Sequence, residues 1–121
     1  MRSIAEGDSR GRDLDAVRRW RSLSPVRFEW DPAKDALNRA RHGIGFEEAS
    51  GVFRSQSPWL EIDDEAHSDD ELRYHAIGTI ARGVVVVVCT DRDEDVVRII
   101  GARAATTRER RLYDEWLARH T

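Results

Sequence analysis

Arginine carries nearly all the positive charge of this chain: 19 of its 20 basic side chains are Arg, and Lys34 is the exception. The arginines that could act together lie in a short apolar strand, Val97-Arg98-Ile99-Ile100-Gly101-Ala102-Arg103, and in the segment after it, Thr106-Thr107-Arg108-Glu109-Arg110-Arg111-Leu112-Tyr113. A guanidinium offers a planar fork to phosphate or carboxylate oxygens. Arginines on so apolar a strand are therefore either paired internally or gathered at the strand end to meet an anion.

Metal-free cleavage of a phosphodiester through the 2'-hydroxyl needs a proton acceptor, a proton donor and cations near the charge that develops on phosphorus. His, Arg and Tyr can supply all three. The candidate catalytic residues are Arg98, Arg103, His67 and Tyr113, and the candidate substrate contacts are Arg73, Arg92 and Arg108. Arg98 and Arg103 have opposite parity, so a regular strand would point them to opposite faces; a bulge at Gly101 would bring them into one cationic pocket. Each residue also has a plainer reading. Either strand arginine could pair with Glu29, Glu61 or Asp63; His67 could be a solvated loop histidine bonded to Asp69 or Asp70; Tyr113 could be a core ring with its hydroxyl at the rim; Arg73 and Arg92 could be solvated charges.

Other chemistries find little support. His42, His67, His75 and His120 are scattered, and no Cys-x-x-Cys, His-Glu-x-x-His, Gly-rich phosphate loop or Gly-x-Ser-x-Gly spacing occurs. No metal site is expected. Cys89 is alone at the end of five consecutive valines, which reads as a buried thiol in a reducing cytoplasm.

The elements that must position these residues can be read from caps and periodicity. Residues 1–25 are rich in Arg, Asp, Ser and Gly and read as a flexible extension; the folded domain is placed at 26–121. Val26 to Trp30 alternates as a strand. Asp31-Pro32 then starts a helix that ends at Gly43, with Ala33, Ala36, Leu37 and Ala40 in one stripe expected against the core. Phe46, Ala49, Val52 and Phe53 predict a second short helix. Strands follow over Trp59–Asp63, Leu72–Ile80, Val84–Thr90 and Val96–Arg103, with Arg92 in the loop after the third. The valine run lacks alternation and should be covered on both faces, whereas Tyr74, Ala76, Gly78 and Ile80 should share one face. Thr106-x-x-Glu109 is a capping box opening a last helix. The fold class is α+β: a small antiparallel meander with two N-terminal helices and a C-terminal helix packed on it.

A length of 121 residues with 40% apolar side chains fits one core. The net charge of -3 argues against a protein that coats nucleic acid unspecifically. The distribution is uneven, however: seven carboxylates and no Lys or Arg lie between Trp59 and Glu71, while six arginines against three acids lie between Val96 and Thr121. A local basic surface is compatible with that pattern. No secretion signal or membrane span is readable, so a cytoplasmic location is expected.

From Phe28 to about Trp116 the chain resembles the BrnT family of type II toxins, small ribonucleases with a RelE-like architecture. The marks are Phe28-Glu29-Trp30-Asp31 with Lys34, Asn38 and His42-Gly43; Phe46-Glu47-Glu48-Ala49 and Val52-Phe53; His67-Ser68, Glu71-x-Arg73, Ile77-Gly78 and Thr90-x-Arg92; and Arg98-Ile99-Ile100, Ala102-Arg103, Glu109 and Tyr113. The resemblance implies an endoribonuclease that arrests translation and growth and needs no metal or organic cofactor. It also implies a BrnA-like ribbon-helix-helix antitoxin as partner, RNA as substrate, and operator DNA reached through the antitoxin; homodimer and heterotetramer both stay open. A non-catalytic toxin that serves only as antitoxin partner and co-repressor is the alternative. Against the family pattern, Arg41 replaces a usual Lys, Gly101 replaces a usual Ser, and residues 1–25 have no counterpart. The Phe28-Glu29-Trp30-Asp31 and His42-Gly43 segments are assigned to folding or to an antitoxin groove.

Overall fold

The computed structural model describes residues 27–55, 57–64, 72–93 and 95–119; the N-terminal extension and His67 lie outside them. The chain runs β1 (Arg27–Glu29), α1 (Pro32–His42), α2 (Phe46–Ala49), α3 (Gly51–Arg54), β2 (Leu60–Asp63), β3 (Tyr74–Ile80), β4 (Gly83–Asp93), β5 (Val96–Ala104) and α4 (Thr107–Arg119). The class is α+β, as read from the sequence.

Local signals act where expected. The Asp31 side chain accepts a hydrogen bond from Ala33 N at 2.9 Å, and Gly43 closes α1 at φ 74°. Thr106 and Glu109 form the reciprocal capping box, with Glu109 N donating to Thr106 Oγ1 at 3.1 Å and Thr106 N donating to Glu109 Oε1 at 2.9 Å. The second N-terminal helix is interrupted, however. Ser50 turns its hydroxyl onto Glu47 O at 2.7 Å, and two single turns, α2 and α3, stand where one helix was read.

The sheet corrects the expected topology. Its order is β1-β5-β4-β3-β2; β2 to β5 form the antiparallel meander, but β1 joins the far edge parallel to β5, so the sheet is mixed. A strand separated from its partner by more than 60 residues is free of the hairpin geometry that makes sequential strands antiparallel. Strand ends also shift: β3 begins at Tyr74 and β4 continues to Asp93, which places Arg92 in a strand.

Two clusters hold the sheet between helical layers. On one face Tyr74, Ala76, Val85, Val87 and Cys89 pack with Phe46, Ala49 and Val52 of the short helices. On the other, Leu60, Ile77 and Val86 meet Tyr113 and Trp116 of α4. The valine run is therefore covered on both sides. The α1 stripe is not: Ala33, Ala36, Leu37 and Ala40 are all exposed, Leu37 to 50%. Helix α1 is held by polar contacts instead. Asp35 accepts from Phe46 N at 2.8 Å, and Arg82 at the β3–β4 turn donates both to Glu48 and, at 2.7 Å, to the Gly43 carbonyl.

Close approach of α3 to β3 depends on Gly78, where a Cβ would lie 2.7 Å from Val52 Cγ1 and 3.1 Å from Trp59 Cβ. Gly78→Ala is expected to lower stability by about 2 kcal/mol through overpacking, read as a drop in the urea midpoint at unchanged slope. No helix among the described residues is long and apolar enough to cross a membrane.

Candidate functional site

Strand β5 positions the arginines, and its register decides which way they point. Opposite β4 the pairing runs Val86 with Arg103, Val88 with Gly101, then Cys89 with Ile99 and Thr90 with Arg98. Ile100 is the extra residue of a bulge beside Gly101, and it shifts the alternation by one. Arg98 and Arg103 consequently share the face on which Val86 meets α4. A second irregularity, between Asp91 and Asp93, leaves Arg92 as the extra residue of β4.

Sharing a face does not bring the two strand arginines into one pocket. Their partners on β4 are four residues apart, roughly 13 Å at ~3.3 Å per residue, and each guanidinium has its own carboxylate. Arg98 Nη1 donates to Glu29 Oε2 at 3.0 Å, whereas Arg103 donates to both oxygens of Glu109 at 2.7 and 2.8 Å. The expectation of one convergent cationic pocket is replaced by two separate ion-paired groups.

The groups differ in character. Arg92 Nε also lies 3.5 Å from Glu29 Oε2, so one carboxylate faces two guanidiniums; side-chain exposures are 32% for Arg98, 49% for Arg92 and 41% for Glu29. Both guanidiniums and the carboxylate are partly exposed, which suits exchange of the carboxylate for another anion. The Arg103 pair is bidentate, its carboxylate is less exposed than Glu29 and tied into the α4 cap, and the guanidinium and capping bonds hold the Glu109 carboxyl down at about 2. It reads as a structural clasp between β5 and α4.

The remaining candidates are dispersed. Tyr113 is 1% exposed and its hydroxyl donates to Pro58 O at 2.8 Å, with burial pushing its pKa up. Tyr113→Phe should therefore cost about 1–2 kcal/mol by leaving the Pro58 carbonyl without that donor, measured by thermal melting, and should leave any RNA cleavage rate unchanged. Arg73 lies just before β3 and is half-buried. Arg108 is exposed and lines a depression of about 650 Å³ with Thr106, Glu109, Arg111, Leu112 and Glu115, away from Arg92 and Arg98.

Of the three carboxylates that the sequence offers to either strand arginine, Glu29 is the one Arg98 takes: parity between Phe28 and Trp30 turns Glu29 off the core face, and parallel pairing sets it beside Arg98. His75, opposite Val88, lies on the arginine face with Nε2 3.1 Å from Asp64 Oδ2. From the sequence, His75 has no site role; alternation along β3 is the signal that places it on this face. Among the described residues, no three His, Cys, Asp or Glu side chains gather as a metal site.

Comparison with known proteins adds the identity of this architecture. A solved structure, the Brucella abortus ribonuclease toxin BrnT, superposes with a TM-score of 0.54 at 23% identity, covering 68% of this chain and 99% of that one. The likeness is one of fold. No curated protein matches the chain. The profile of the family described as "Ribonuclease toxin, BrnT, of type II toxin-antitoxin system" matches residues 30–109, most of the described domain, and the chain therefore belongs to the BrnT family of ribonuclease toxins.

Proposed function

We propose that this chain is an endoribonuclease toxin that cleaves RNA through the 2'-hydroxyl without a metal, arrests translation and is neutralised by a BrnA-like ribbon-helix-helix antitoxin. A RelE-like architecture is part of the same reading. The observation that carries it, beside family membership, is the shared Glu29 carboxylate. Two partly exposed guanidiniums, Arg98 and Arg92, face one carboxylate, so a phosphate can take Glu29's place and accept from both. Arg98 and Arg92 then hold the scissile phosphate and stabilise the charge that grows on it during attack by O2'. Proton transfer is assigned to His67, and His75, which lies on the face that carries Arg98, is the second imidazole proposed for it. Arg103 and Tyr113 are given structural roles, and Arg73 and Arg108 peripheral contacts with the RNA backbone.

A second reading, a non-catalytic toxin that acts only as antitoxin partner, is supported by the carboxylate partners that Arg98 and Arg103 already have. Cleavage of purified RNA by the full chain, beside the Arg98→Ala variant, separates the two. Cleavage lost with Arg98 supports the enzyme; a folded, antitoxin-binding wild type that leaves both RNA and growth untouched supports the partner.

A further inference from the structure

We infer that Asn38 is a positioning residue for the Arg98 site, acting by locking the bulge of β5 from the neighbouring helix; this rests on the reading of Arg98 given above. Strand β1 pairs only with Val96, Val97 and Arg98, yet β5 continues to Ala104. Beyond Arg98 the outer edge of β5 has no strand beside it among the described residues, and backbone groups at a half-buried edge need partners.

Asn38 supplies them. Its Oδ1 accepts from Ala102 N at 3.2 Å, and its Nδ2 donates to Ala102 O at 2.8 Å and to Ile44 O at 2.9 Å. A primary amide carries a donor and an acceptor in one plane, as a peptide group does, so Asn38 serves β5 as a one-residue strand. The third bond ties the same amide to the loop after α1. Both amide hydrogens are used, and the side chain has one orientation that satisfies all three groups.

The location of this clamp gives it a functional consequence. The bulge at Ile100 lies between the β1-paired Arg98 and the Asn38-clamped Ala102. A bulge can be absorbed by a one-residue slip, and a slip sends the affected side chains to the opposite face. With Ala102 held on its outer side by Asn38 and on its inner side by register with Val87, the extra residue stays at Ile100 and Arg98 stays on its face beside Glu29 and Arg92. Gly101 does not hinder the clamp, since a Cβ there would meet Asn38 Oδ1 at 3.9 Å, an ordinary contact. Helix α1, whose apolar stripe faces solvent, is thus retained on the sheet partly by a residue that sets the geometry of the site.

The test uses Asn38→Asp and Asn38→Ala in the full chain. Asn38→Asp keeps an acceptor for Ala102 N but loses both donations and sets a carboxylate against two carbonyl oxygens. Both variants should lower kcat on a short single-stranded RNA by about tenfold or more, with KM changed little, because a small misplacement of a reacting contact has effects of this size. Amide exchange at Ala102 should speed up, while exchange at Ile77 and Val86 stays as in the wild type. Normal kcat per folded molecule in both variants, with Arg98→Ala inactive, would overturn the role of Asn38 and leave the site reading standing. Full activity of Arg98→Ala would remove the site reading and this inference with it. Failure of both variants to fold would overturn positioning in favour of a purely structural role.

Discussion

Replacing Arg98 with alanine is expected to reduce RNA cleavage about 10²- to 10³-fold while leaving the melting temperature nearly unchanged. The magnitude is that of removing one preorganised donor from a developing oxyanion, about 3–4 kcal/mol. Stability should change little because Arg98 and Glu29 are 32% and 41% exposed, and an ion pair so placed contributes about 1 kcal/mol or less. Arg98→Lys should recover only part of the rate. An ammonium keeps the charge but loses the fork that gives a phosphate two parallel bonds once it has displaced Glu29. Arg103→Ala is the contrasting variant: its guanidinium is engaged by both Glu109 oxygens, so its loss should appear in stability far more than in rate. Equal losses of rate at Arg98 and Arg103 would restore the single-pocket arrangement that the register argues against. Wild-type cleavage by Arg98→Ala would remove the phosphate role of the Glu29 cluster.

Glu109→Ala is expected to be the most destabilising single change at the β5–α4 junction, by about 3 kcal/mol. It removes a capping interaction of about 1 kcal/mol and the charge-assisted bonds to Arg103, worth about 2 kcal/mol. Linkage fixes how this contribution varies with pH. The Glu109 carboxyl lies at about 2 in the folded chain against an ordinary 4.5, so the folded state binds its proton more weakly than the unfolded state. A depressed carboxyl contributes stability that is fully present above the unfolded value and is lost as pH falls through the folded one, here from about 4.5 down to about 2. The gap alone sets a ceiling of about 3 kcal/mol; screening at a pair with 34% and 23% exposure reduces it to about 1–2 kcal/mol. Urea unfolding at pH 7 and pH 3 should show wild type and Glu109→Gln converging as pH falls. A constant difference between them would mean that the Glu109 charge adds nothing to the clasp.

The elements of this protein were legible where their cause is local. Asp31-Pro32, Gly43 and Thr106-x-x-Glu109 act within about one helical turn, so caps read from the chain recur in the fold. The valine run needed only its lack of alternation to be placed at the centre of the sheet. The bulge expected at Gly101 falls one residue earlier, at Ile100; opposite parity suggested it, but only the register shows that Arg98 and Arg103 share a face.

What tertiary structure alone decided is which distant groups meet. Periodicity marks which side of α1 is apolar but not whether a core lies there; polar bonds from Asp35 and Asn38 set the helix so that the stripe faces water. Glu29 stands beside Arg98 only because β1 pairs parallel to β5, a contact across 69 positions. Arg103 and Glu109 are only six positions apart, but they meet because the register turns Arg103 to the face on which α4 packs. Caps and alternation are energies of neighbouring residues and can be read from neighbours. Strand order, register and ion-pair choice depend on the chain closing on itself, and that closure separates an exchangeable arginine at Arg98 from a committed one at Arg103.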